Sequence, residues 1–124
     1  MAGTAKHLKD GERAEAAAAA YLGSKGLEIL TRNFRCKLGE LDLVARDGDT
    51  LVFVEVRYRG DGSLCNPLES ITPAKQRKTV RAAMSYLQRH KLFDSPCRID
   101  VVSVQPGRVR KYRIEWIKNA IEAT

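Results

Sequence analysis

The stretch that most constrains this chain is "GELDLVARDGDTLVFVEVRYR", which begins at Gly39 and ends at Arg59. Two arms rich in β-branched and aliphatic residues flank Arg46-Asp47-Gly48-Asp49, a strong hairpin-turn signal. Strand interiors are depleted in Asp, yet Asp42 and Glu55 stand inside the apolar arms. A turn at Asp47-Gly48 sets Asp42 opposite Phe53 and Glu40 opposite Glu55, whereas a turn at Gly48-Asp49 sets Asp42 directly opposite Glu55. Side chains alternate faces along a strand, so either register predicts Asp42, Glu55 and Arg57 on one face of the sheet. A bulge or a three-residue loop would change that parity. Like charges so placed repel each other unless something cationic lies between them.

A hard divalent cation answers that requirement. Mg2+ takes oxygen ligands at about 2.0–2.1 Å, usually one or two carboxylates with water and substrate phosphate. Mg2+ or Mn2+ held by Asp42 and Glu55 is therefore the expected cofactor. Such an ion polarises a phosphate, lowers the pKa of bound water and stabilises a leaving oxygen. Arg57, two residues beyond Glu55, would lie where charge builds up in the transition state.

Charge points to the partner. Twenty-two Lys and Arg against fifteen Asp and Glu give a formal net charge of +7. Residues 1–56 carry eight basic and nine acidic side chains, residues 57–98 nine and three, and the remainder five and three. A basic segment after an acidic hairpin predicts a polyanion surface beside a carboxylate site. Thr72-Pro73 is a helix start, with an N-cap and a proline at the first helical position. Lys75, Arg77, Lys78 and Arg81 decorate the first turns of that helix, and Val80, Ala83, Met84 and Leu87 are its expected buried stripe. The plain alternative for these cations is a solvated helix face that serves solubility.

Other features bound the class. The 124 residues suit one domain, residues 1–124, with a real core. No apolar run approaches a membrane span, and "MAGTAKHLKD" lacks the apolar stretch of a signal peptide. Cys36, Cys65 and Cys97 are odd in number and widely spaced, without a CxxC pair, which argues against a disulfide framework and a zinc site. A cytoplasmic setting is expected, and a homodimer stays open. Asp10 is read as the cap of a helix starting near Gly11, with Ala14, Ala17, Ala18, Tyr21 and Leu22 as its apolar stripe and Gly26 as its terminator. "LEILTRNFR" is read as a first strand, "CRIDVVSV" as a fourth and "KYRIEWI" as a fifth, with a short helix ending the chain. The Gly-, Pro- and Ser-rich "GDGSLCNPLES" after Arg59 reads as a mobile loop. The predicted fold is α/β, a central mixed sheet flanked by helices.

Asp42, then Glu55, one residue and Arg57 resembles the D…(D/E)-x-K pattern of the restriction-endonuclease-like superfamily. "GLEIL", "GELDLVARDGDTLVFVEVR", Lys75 with its helix, "CRIDVV" and "EWIKNAI" resemble, over nearly the whole chain, the YraN-like family of small bacterial predicted endonucleases. The resemblance implies an αβββαβ nuclease core, in agreement with the element order above. It implies that Asp42 and Glu55 bind metal and that Glu15 matches the helical acid that related Holliday-junction resolvases add to the site. Glu15 also reads as an exposed helix charge, and Glu40 either joins the site or caps the wet end of its strand. Arg57 departs from the pattern, which wants lysine. Arginine stays charged and binds phosphate bidentately, but with a pKa above about 12 it is a poor general base. Lys75 supplies the missing ammonium or touches phosphates at a helix N-terminus. The expected function is a metal-dependent endonuclease acting on DNA, with branched or damaged DNA in recombination or repair as candidate substrates. The alternatives are a non-catalytic nucleic-acid-binding module on a nuclease fold and a subunit whose basic face binds an acidic protein.

Overall fold

The computed structural model describes residues 2–60 and 66–122, with side chains from residue 10 onward. The elements are α1 (Ala2–Ser24), β1 (Glu28–Cys36), β2 (Gly39–Asp47), β3 (Thr50–Tyr58), a 3-10 turn at Pro67–Ser70, α2 (Pro73–Arg89), β4 (Cys97–Pro106) and β5 (Tyr112–Ile121). The strands form one sheet in the order β1-β2-β3-β4-β5. Every pair is antiparallel except β3 with β4, which α2 joins as a parallel crossover. This is the mixed α/β fold, with an αβββαβ core, that the sequence predicts.

The two helices cover opposite faces of the sheet. Ala14, Ala18, Ala19 and Leu22 of α1 pack on Leu43, Ala45, Val52, Val54, Val102 and Val104. Ala82, Ala83, Tyr86 and Leu87 of α2 pack on Phe34, Val44, Leu51, Phe53, Ile99 and Val101. With a helix on each face, β3 needs apolar residues on both, which is why "LVFV" is a continuous run. Local chemistry sets the ends. The Gly26 N–H bonds the Gly23 carbonyl at 3.1 Å and the Leu27 N–H bonds the Leu22 carbonyl at 3.1 Å. With Gly26 at φ 95°, this is a Schellman stop, and Leu22 and Leu27 meet in the core behind it. Thr72 Oγ1 accepts the Lys75 N–H at 3.1 Å, an N-cap of about 1 kcal/mol, and Pro73 opens α2.

Four local expectations are corrected. Helix α1 begins at Ala2, so Asp10 lies inside it and does not cap it. The buried stripe of α2 is Thr79, Ala82, Ala83, Tyr86 and Leu87, while Met84 is exposed. Thr79 and Tyr86 enter the core because the Thr79 hydroxyl bonds the Lys75 carbonyl at 3.0 Å and the Tyr86 ring stacks edge-on against Phe34 and Phe53. Among the described residues no helix follows β5, because "EWIKNAI" continues that strand to Ile121. The completely buried Asp100 secures that strand by accepting from Trp116 Nε1 at 2.9 Å, the Asn119 N–H at 2.8 Å and Arg98 Nε at 3.1 Å. Part of the segment read as a loop, Pro67–Ser70, is a 3-10 turn capped by Asn66. Residues 61–65, with Cys65, lie outside the described residues.

Candidate metal and phosphate site

The hairpin adopts the second of the two registers. Asp47 pairs with Thr50 around a two-residue turn at Gly48-Asp49, and the ladder runs back to Leu43 opposite Val54. There it stops. Strand β2 stays on β1 as far as Gly39 opposite Cys36, and β3 stays on β4 as far as Tyr58 opposite Val104. The sheet therefore has a seam between its second and third strands. Leu41 packs in the α2 layer and Leu43 in the α1 layer, so strict alternation slips by one at Asp42. The single shared face expected for Asp42, Glu55 and Arg57 is thus corrected. Glu55 and Arg57 point to the α2 side, and Asp42 stands in the seam.

Asp42 is held there by the backbone of the opposite strand. Its Oδ2 accepts the Val56 N–H at 2.7 Å, taking the place of a β2 carbonyl where the ladder is absent. Glu55 is 3 % exposed, and its Oε1 lies 3.7 Å from Lys75 Nζ and 3.8 Å from Arg57 Nη1. Arg57 is fixed from behind by Ser70, whose Oγ and carbonyl accept from Nε at 3.3 Å and Nη2 at 3.2 Å. The 3-10 turn before α2 thus aims the guanidinium, and the capped first turn of α2 aims Lys75.

Electrostatics reflects two carboxylates crowded in a seam that buries Glu55 and half-buries Asp42. Burial, then the Asp42 charge, push the Glu55 carboxyl from its ordinary 4.5 up to about 7, against the pull of Lys75 and Arg57. Burial also raises Asp42, against the Val56 N–H bond and Lys75, while Glu40 adds to the rise. Desolvation raises Glu15, with Asp42 as its next cause. The pair is thus poised to share a proton or to accept a cation.

The sequence-predicted residues separate into groups. Asp42, Glu55, Arg57 and Lys75 converge at the seam. Glu15 joins Asp42, Asn33, Arg35, Glu40 and Tyr58 around a cleft of about 480 Å³ on the α1 side. Glu40 is exposed and pairs with Arg35 at 3.8 Å, so it borders the cleft from its wet rim. Lys75 and Lys78 line a second cleft, of about 390 Å³, with Arg35, Lys37 and Gly39. Arg77 and Arg81 are exposed on α2 outside that cleft. Sequence reasoning missed Lys37, Ser70 and Asn33. A turn lysine and a loop serine give no local signal; Asn33, at φ 56°, stands where only a few residue types are comfortable. Among the described residues, no three His, Cys, Asp or Glu side chains converge closely enough to hold a metal on their own.

Fold and seam together define a mixed α/β protein with a paired-carboxylate site under a basic rim. Residues 14–104 match the family described as "Uncharacterised protein family UPF0102", and the chain belongs to that family. It is 51% identical over 115 residues to a UPF0102 protein of Marinobacter nauticus, covering 93% of this chain and 94% of that one. A UPF0102 protein of Coxiella burnetii is 46% identical over 115 residues, 92% of each chain. One from Pseudomonas putida is 45% identical over 123 residues, covering 98% and 99%.

Proposed function

We propose that this protein is a metal-dependent phosphodiesterase of the YraN-like, restriction-endonuclease-like type, acting on DNA. One observation carries the reading: the buried Glu55 and the half-buried Asp42 share the seam of the sheet, and two cations stand within 4.0 Å of Glu55. A purely structural use of Glu55 would not need burial beside a second carboxylate, because that costs ionisation energy which replacement by a neutral side chain avoids.

The donor set fits Mg2+ or Mn2+. Asp42 and Glu55 are hard oxygen donors from neighbouring strands, two carboxylates are what Mg2+ commonly takes, and water and phosphate complete its shell. Glu15 and Glu40 border the adjoining cleft and would act on its water. When bound, the ion would polarise the phosphodiester and acidify a water. The chain's own residues do the remainder. Arg57, braced on Ser70, holds a fixed positive charge beside the reacting phosphate, and Lys75 contributes a second. The cleft of Lys37, Lys75, Lys78 and Arg35 receives the neighbouring backbone phosphates, and burial of Glu55, 3 % exposed, keeps its carboxyl from bulk water.

The test is cleavage of single-stranded, duplex and branched DNA with Mg2+ or Mn2+, with a chelator as blank. Wild type should cleave, and Asp42→Ala and Glu55→Ala should not. The binding-module reading draws on Arg57, whose guanidinium is anchored to Ser70 and cannot serve as a proton carrier. It would replace the nuclease reading if wild type and Arg57→Lys both bind DNA and are both inert on every substrate.

A further inference from the structure

The β4–β5 hairpin carries a second concentration of charge that the seam does not use. "PGRVRKYR" places Arg108, Arg110, Lys111 and Arg113 within six residues, all exposed. No carboxylate among the described residues lies within 4.0 Å of any of them. Their mutual repulsion is therefore offset by no ion pair among the described residues. Val109, between two arginines, is 98% exposed. Behind the cations lies a groove of about 1090 Å³ between the hairpin and α1, floored by Ala17, Ala20, Tyr21, Tyr112 and Ile114. Tyr21 and Tyr112 are half-buried, and Lys111 lies over the Tyr112 ring at 5.7 Å. A cationic rim over an aromatic, apolar floor matches the two faces of one ligand: phosphates outside and a base inside. Duplex backbone alone would use the rim and leave the floor empty.

Topology brings this groove to the candidate site. Strand β3 and its parallel neighbour β4 both run towards the hairpin tip, and Tyr58 pairs with Val104 two residues short of the strand's end at Pro106. Tyr58 packs in the same layer as Tyr112 and also lines the cleft that holds Asp42 and Glu15. A strand leaving the groove over Tyr58 therefore arrives at the seam.

Resting on the nuclease reading, we infer that the β4–β5 hairpin and α1 form a binding arm for an unpaired nucleic-acid strand. Its phosphates lie on Arg108, Arg110, Lys111 and Arg113, and its bases stack against Tyr112 and Tyr21. The preferred substrate class is then DNA with a single-stranded segment next to the cut, not fully paired duplex.

The experiment is binding without metal, in chelator, of a fluorescent thymidine oligonucleotide and of a duplex of equal length. The variants are Arg108→Ala/Arg110→Ala/Lys111→Ala, Tyr112→Leu and Lys75→Ala/Lys78→Ala/Arg81→Ala. Wild type should prefer the single strand. The hairpin triple variant should lower the slope of log K against log salt for the single strand by about 2, at about 0.7 per lost phosphate contact. Tyr112→Leu should weaken single-strand binding by about 5- to 150-fold, the range for one base stack, and spare the duplex. Trp116, the only tryptophan, packs edge-on to Tyr21 at 6.4 Å, so its emission should change on single-strand titration and report occupancy independently. Equal loss for both nucleic acids, with Tyr112→Leu silent, would overturn the arm, as would unchanged single-strand binding in the hairpin variants. In either case the nuclease reading stands if the seam variants still abolish cleavage. Single-strand binding that behaves as expected in a protein that never cleaves upholds the arm and removes the nuclease. A wild type that binds neither nucleic acid removes both.

Discussion

Replacing Glu55 by glutamine should stabilise the metal-free protein at neutral and alkaline pH. In the folded state the Glu55 carboxyl titrates at about 7 against its ordinary 4.5. Between those values the native protein holds a proton that the unfolded chain has released. Stability therefore falls as pH rises through this window, and the loss is complete above the folded value. At about 1.36 kcal/mol for each pH unit, the gap corresponds to about 3 kcal/mol. Glu55 is only 3% exposed, so solvent screening removes little of it. Glu55→Gln keeps the volume and removes the ionisation, so the variant should match wild type near pH 4.5 and exceed it by about 3 kcal/mol at pH 8.5. In thermal melts that difference is on the order of 10 °C. The assay is urea unfolding in chelator from pH 4.5 to 8.5, followed by Trp116 emission, with Glu40→Gln at the exposed rim as control. A stability difference independent of pH, or a variant weaker than wild type at pH 8.5, would refute the reasoning.

Gly39→Ala should destabilise by about 1–3 kcal/mol, because a Cβ there would stand 2.7 Å from the Lys78 carbonyl oxygen and force α2 outward; an unchanged urea midpoint would show that the helix yields freely. Arg57→Lys should retain metal-dependent cleavage, while Arg57→Ala loses about 100- to 1,000-fold, the usual cost of deleting one transition-state donor. Equal rates in wild type and Arg57→Ala would remove the clamp from the account. Joint replacement of Lys75, Lys78 and Arg81 by alanine should lower DNA affinity and flatten its salt dependence, and unaltered duplex affinity would make the α2 cations a solvated face.

Most of the fold was legible because it rests on local rules. Asp47-Gly48-Asp49 marked the hairpin, Thr72-Pro73 marked the start of α2 to the residue, and Gly26 marked the end of α1. The failures are tertiary in origin. Nothing local in "KNAI" shows that Asp100, sixteen or more residues upstream, accepts from Trp116 and the Asn119 backbone and keeps the segment extended. Thr79 and Tyr86, absent from the expected stripe, enter the core through one backbone hydrogen bond and two ring contacts. Within the site, the convergence of Asp42, Glu55 and Arg57 followed from pairing in the hairpin. The parity slip at Asp42 did not, because it comes from β2 staying with β1 while β3 stays with β4. The hairpin cations escaped notice because charge counted over long segments averages Arg108, Arg110, Lys111 and Arg113 with Asp100, Glu115 and Glu122.

On the proposed function, Asp42 and Glu55 together hold one divalent metal ion at the seam. Calorimetric titration with Mn2+ at pH 7, in two buffers of different ionisation enthalpy, tests it most directly. Wild type should bind one Mn2+ and release a fraction of a proton, because the ion displaces the proton that Glu55 carries at that pH. Asp42→Ala and Glu55→Gln should each lose binding, and the proton release should vanish with it. Equal Mn2+ affinity in wild type and both variants would contradict the account.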